Sequence, residues 1–267
     1  MEFQAGDIQW KATRFGTGKT WLIALHGYGQ QASLFHHLAE ICKDKYSILA
    51  IDLAYHGNND SFQKGFLFDK NYAQVWLDSI LEKTGQKQIG LVGYSIGGRI
   101  SLSLTSWFPE LISELILLAP DGVPVSTLYR LLTNNAIGNA LFRTFIHSPG
   151  FAFGLIKLGV WLKIIPTKVS DFYRNEISTL QKRQQLYDAW MAYRLAIPQY
   201  DIIKKYLKKG KISVVCILGK NDKVIPYTKT RKAALKFLPG IQIIELEAGH
   251  NLLSDKATKL LAPYWRA

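Results

Sequence analysis

The stretch Ile89-Gly90-Leu91-Val92-Gly93-Tyr94-Ser95-Ile96-Gly97-Gly98 decides how this chain is read. Ile89 to Val92 is a short apolar run of strand character, and residues 98–108 behind it read as a helix closed by Pro109. Between them stands a G-x-S-x-G motif. In a strand–turn–helix setting the serine is held on a tight turn that pushes its hydroxyl out above the sheet edge. Side chains at positions 93 and 97 would collide where the strand and helix backbones converge, and Gly98 adds a third small residue. With 21 glycines in 267 residues the five letters alone are also compatible with a Gly-rich loop. Their weight comes from the flanking elements and from an acid and a base candidate placed later in the chain.

A serine hydroxyl is a weak nucleophile at neutral pH and needs a base, which in turn needs an orienting partner. The apolar run Ile212 to Leu218 reads as a buried strand, and the loop after it carries Asp222. The strand-like segment Ile241 to Leu246 is followed by Gly249-His250. Asp222 and His250 are 28 residues apart, room for a helix, a strand and their loops. Ser95, Asp222 and His250 thus supply nucleophile, acid and base in the chain order Ser, Asp, His. The oxyanion donors expected by position are the backbone N–H groups of Ile96 and Tyr28, the latter in His26-Gly27-Tyr28-Gly29 after the strand Trp21 to Leu25. His26 is expected to hold this loop through its ring rather than act as the base. Asp121, after the strand Glu114 to Ala119, is the competing position for the acid. The chemistry needs no metal and no organic cofactor.

With these residues in view, the chain resembles the α/β-hydrolase superfamily, in its serine-hydrolase branch. The marks run in the family's order: His26-Gly27, the loop Asp52-Leu53-Ala54-Tyr55-His56-Gly57, the elbow at Ser95, Asp222, and Gly249-His250. The resemblance covers most of the chain and is weakest between about residues 121 and 205. It implies an α/β fold with a mostly parallel eight-stranded sheet, helices on both faces, and a helical cap inserted after the sixth strand. The core would be residues 1–120 and 207–267, the cap 121–206. A serine at the elbow argues against the haloalkane dehalogenase and epoxide hydrolase branches, known for Asp there. The activity implied is cleavage of a carboxylic ester or thioester. Tyr94-Ser95-Ile96-Gly97-Gly98-Arg99 is also similar to the elbow of the hydrolase-fold synthase of menaquinone biosynthesis, a lyase on an anionic substrate; this would make Tyr94 and Arg99 substrate contacts. Pro120-Asp121-Gly122 departs from that family. A non-catalytic binding module on the same fold has no need of a full triad.

Between residues 126 and 206 the strand–helix alternation lapses into helical periods rich in aromatics, punctuated by Pro149, Pro166 and Pro198. Phe142, Phe145, Phe151, Phe153, Trp161, Phe172, Tyr173, Trp190 and Tyr193 either line an apolar acyl pocket or pack the cap onto the core. Formal net charge is +13, and residues 121–210 hold thirteen Lys/Arg against five Asp/Glu. The plain reading is a solvated helical surface. The functional readings are an anionic substrate, or peripheral contact of the basic cap with an anionic membrane. No reader module for nucleic acid is present. Gly18-Lys19-Thr20 precedes a strand and lacks the spacing of a phosphate loop, and adjacent His36-His37 point apart on a helix beginning at Ser33. Two cysteines, Cys42 in an expected helix and Cys216 at a core position in mid-strand, do not suggest a disulfide framework, and Met1 to Asp7 lacks the pattern of a secretory signal; both favour a cytoplasmic protein.

Overall fold

Apolar strands that alternate with amphipathic helices bury both faces of a sheet only as a three-layer stack. A computed structural model, which describes residues 1–59, 62–162, 174 and 177–265, has this architecture. Eight strands, β1 (Glu2–Ala5), β2 (Ile8–Phe15), β3 (Thr20–Leu25), β4 (Tyr46–Ile51), β5 (Ile89–Tyr94), β6 (Ile112–Leu118), β7 (Ser213–Gly219) and β8 (Gln242–Leu246), form one sheet in the order β1-β2-β4-β3-β5-β6-β7-β8. β1 and β2 are antiparallel to their neighbours, and all later pairings are parallel. The C-terminal ends of β3 to β8 therefore open on one edge, and the loops carrying His26, Ser95, Asp222 and His250 leave from it.

Alternation along the strands divides the core in two. Ile23 and Leu25, Leu49 and Ile51, and Leu115 and Leu117 face one layer. That layer is covered by α2 (Lys70–Thr84), α3 (Ile96–Trp107), α8 (Tyr200–Lys208) and α9 (Tyr227–Phe237). Leu22, Ala24, Val92 and Leu118 face the other, covered by α1 (His36–Cys42) and α10 (Asp255–Trp265). α2 begins where the Asp69 carboxylate accepts from Tyr72 N and ends at Gly85 in the left-handed region. α3 is buried on nearly every side, so its hydroxyls turn back on their own helix: Ser103 donates to Arg99 O and Thr105 to Ser101 O.

Among the described residues, four helices, α4 (Thr127–Asn134), α5 (Ala136–His147), α6 (Pro149–Trp161) and α7 (Leu180–Ala192), are inserted between β6 and α8. α8 itself belongs with the core layer, through Ile203 and through its packing on α3 and α9. The insertion is fastened to the core by polar bonds: Ala54 N to the Tyr193 hydroxyl at 2.9 Å, Gln185 Nε2 to Tyr55 O at 2.6 Å and Phe68 N to Ala192 O at 2.8 Å. Within it, buried Arg183 donates to Ile146 O and Ile177 O, which neutralises the end of α5.

One expectation for the elements is corrected, and one element is added to those expected. The helix does not begin at Ser33. A 3₁₀ turn at Ala32–Phe35 comes first, and its leading N–H, that of Ala32, is taken at 2.6 Å by the Asp52 carboxylate from the end of β4. Residues 2–5, read only as a non-secretory N-terminus, form β1, closed on β2 by a turn at Gly6-Asp7. Cys42 and Cys216 are buried free thiols on α1 and β7.

Candidate active site

The site is assembled from three loops that leave neighbouring strand ends, and glycines set how closely they approach. Ser95 follows β5 with φ 53° and ψ −117°, a conformation costly for any residue with a side chain. It is held there by Ser95 N to Leu118 O at 3.0 Å and by Ser95 O, which accepts from Gly98 N and Asp121 N at 2.9 Å each. A Cβ at Gly97 would be driven into the Leu25 carbonyl, one at Gly93 into the Gly97 carbonyl, and one at Gly98 into Pro120. The elbow thus presses directly on the end of β3.

Asp222 and His250 meet. His250 Nδ1 donates to Asp222 Oδ2 at 2.7 Å, and Asp222 Oδ1 accepts from Val224 N and Ile225 N at 2.8 Å each. The carboxylate is buried and saturated, so it holds the imidazole in the tautomer that leaves Nε2 as acceptor. The His250 side chain keeps 21% of its surface exposed, enough for a reactant to approach. The two loops are joined along their backbones by Lys220 N to Leu246 O and Asn221 N to Ala248 O, at 2.9 and 3.0 Å. Gly219 permits this, since a Cβ there would strike the Ala248 and Gly249 carbonyls.

Tyr94 links the parts. Its hydroxyl donates to His250 O at 3.1 Å, its ring lies 5.2 Å from the His250 ring, and a Cβ at Gly27 would stand 3.1 Å from it. Tyr94, a candidate substrate contact, takes an interior position instead. The strand runs to residue 94, and alternation sends this side chain into the α1 layer, where it is buried. Asp121 does not reach His250; it lies 3.4 Å from Arg99 Nη1. Arg99 is 1% exposed, has Tyr129 of α4 stacked 3.7 Å from its guanidinium, and has no hydrogen-bond partner for any of its three guanidinium nitrogens among the described residues. Trp161 stands at the end of α6, 76% exposed. Of the other aromatics, Phe142 packs on Phe145, Tyr187 and Trp190, Tyr193 packs on Phe68, and Phe172 and Tyr173 lie outside the described residues.

The Tyr28 loop is a turn closed by Gln30 N to Gly27 O, with Gly29 at φ 71°. His26 holds it as expected: Nδ1 donates to Gly27 O at 2.7 Å and Nε2 accepts from Leu53 N at 2.9 Å. Burial pushes the His26 imidazole down to about 3, and nearby His56 adds to this. His56 itself is pushed down to about 4 by burial and stacks edge-on against Tyr28 and His26. Its part in supporting the Tyr28 loop carries no separate mark in the sequence. Asp52, at the base of the same loop, also accepts from Asn58 N and Nδ2, and a Cβ at Gly57 would strike it.

A model of the α/β-hydrolase fold family matches residues 20–257. The chain is a member of that family. Among relatives, the uncharacterized hydrolase YugF of Bacillus subtilis is 24% identical over 249 residues, 92% of this chain and 89% of the relative. Two solved structures superpose with TM-scores of 0.66: the esterase EaEST of Exiguobacterium antarcticum, 17% identical over 100% of this chain and 99% of its own, and a thermophilic esterase of Thermogutta terrifontis, 18% identical over 100% and 97%. At that identity the superpositions speak for the fold. In this α/β-hydrolase the described residues contain no cluster of three or more His, Cys, Asp and Glu arranged to hold a metal ion. No described helix is long and apolar enough to cross a membrane.

Proposed function

We propose that this protein is a serine hydrolase that cleaves a carboxylic ester or thioester through an acyl-enzyme on Ser95. The observation that carries the reading is the His250–Asp222 bond, saturated on its acid side and delivered to the same sheet edge as the strained Ser95. Ser95 Oγ attacks the acyl carbon as His250 Nε2 takes its proton, and the protonated imidazole returns that proton to the leaving alcohol or thiol. Water, deprotonated by the same nitrogen, then releases the acid. Ile96 N–H, at the first helical position where no acceptor exists within the helix, and Tyr28 N–H hold the oxyanion. The inserted helices α4 to α7, rather than all of residues 121–206, serve as a cap over this edge, a role supported by the contact of the Tyr28 hydroxyl with Lys182 O of α7. The two buried thiols suit a cytoplasmic setting.

One observation favours a second reading. Arg99, one helical turn behind Ser95, is a buried cation whose guanidinium makes no hydrogen bond to a described residue within ordinary geometry and has one carboxylate 3.4 Å away. It suits a substrate that carries a carboxylate, as in a lyase or synthase reaction run by the same triad.

A fluorophosphonate probe, followed by esters and thioesters of graded chain length with and without a carboxylate, tests both. The parent should label and Ser95→Ala should not, with an unchanged circular dichroism spectrum. Labelling of Ser95→Ala at the parent's rate overturns the nucleophile, and an inert parent points to a binding module. If Arg99 holds a carboxylate, Arg99→Met raises KM for the carboxylated members alone.

A further inference from the structure

A helix on a protein surface keeps one face apolar and turns polar side chains to water. Helix α6 does not. Its inner face, Phe153, Ile156 and Val160, closes an apolar cluster with Phe145, Ile177 and Leu186. Leu155, Leu158 and the C-cap Leu162 form a stripe on the opposite side, with Trp161 beside it, and all four are at least 42% exposed. The helix carries one charge, the exposed Lys157, one turn before Trp161 on the flank between the two faces, and no acid. Helix α5, packed on α6, turns Ile137 and Leu141 outward one turn apart. From residue 122 to residue 170 the chain contains five Lys/Arg and no Asp or Glu.

We propose that the outer face of α6 is a docking surface for a bilayer that carries anionic lipid. Thirteen residues are too few to span a membrane, which takes about 20, so the helix lies in the interface rather than crossing it. The leucines enter the boundary between headgroups and acyl chains, and Trp161 sits at headgroup level. Lys157 extends its stem along the apolar face and its ammonium to the lipid phosphates. The charge pattern selects this occupant over a second copy of the chain, because a symmetric contact would bring together two copies of a segment that carries five cations and no acid to offset them. The surface is separate from the triad and holds for any acyl substrate.

The test is cosedimentation of the full chain with vesicles of phosphatidylcholine alone, or with about one-third phosphatidylglycerol, at about 0.05 M and about 0.5 M salt. The protein should pellet with the anionic vesicles at low salt and be released at high salt. Leu155→Ser/Leu158→Ser should weaken partitioning at least about tenfold, and Lys157→Glu at least about fivefold. Both replace exposed side chains, so melting and hydrolysis of a short soluble ester should match the parent. The proposal is overturned by absence of pelleting, by equal binding to both lipid compositions, or by a double variant that binds like the parent. A dimer in sedimentation velocity that the double variant dissolves would assign the face to a second copy instead.

Discussion

Two aspartates stand within reach of the elbow, and their surroundings separate them. Asp222 spends one oxygen on His250 and the other on two backbone N–H groups, whereas Asp121 faces Arg99. Asp222→Asn should therefore lower kcat by about ten-thousand-fold, through loss of the tautomer in which Nε2 accepts a proton. Asp121→Asn should leave kcat within about threefold of the parent, since it contributes no bond to His250. Steady-state kinetics on one ester decides it; the reverse ranking would move the acid to β6. The placement of Ser95, Asp222 and His250 at neighbouring strand ends was legible because each follows an apolar run whose end is marked by polar or glycine residues. The expectation for Tyr94 came from the similarity of the elbow segment, which says nothing of the side to which residue 94 turns; the strand runs two residues past Val92 and its alternation sends that ring into the α1 layer. The burial of Arg99 under Tyr129 depends on how the insertion folds over α3, a contact between distant segments that no local pattern encodes.

The elements owe their spacing to residues without side chains. Gly97→Ala and Gly219→Ala each push a methyl into a backbone carbonyl and should cost about 1–3 kcal/mol, read as a lower urea midpoint at constant m-value. Gly154, exposed within α6, has nothing within 4 Å of the place a methyl group would take, and Gly154→Ala should instead gain about 0.5–1 kcal/mol from helix propensity. Opposite signs for one chemical change distinguish close approach from a general intolerance of alanine. The strands and most core helices could be placed from periodicity to within a few residues, since an apolar face imposes its repeat on the sequence. β1 escaped because four residues with two buried side chains, Phe3 and Ala5, give too short a period to read. The start at Ser33 failed because the cap comes from Asp52, nineteen positions further along the chain and across the sheet.

At the scale of the whole molecule, acid should unfold this protein through its interior histidines. His26 and His56 are held neutral by burial, with folded values of about 3 and about 4 against about 6.5 when unfolded. The unfolded chain then binds more protons than the native one below about pH 6.5, so stability is full above that value. It falls as pH drops toward about 4, by up to about 1.4 kcal/mol per pH unit for each ring. Thermal melts from pH 7.5 to 4.5 should show this slope, and His56→Asn should flatten it; an unchanged slope in the variant would place the acid sensitivity elsewhere. The backbone bonds between the loops after β7 and β8 have a consequence for motion. With Lys220 N and Asn221 N donating to the β8 end and loop, the acid and the base travel as one piece. Any adjustment on substrate entry must then occur between that piece and Ser95, not within the Asp–His pair. Amide exchange should report it as a single opening event: Lys220 and Asn221 would exchange with one common protection factor, rising together when the serine is acylated.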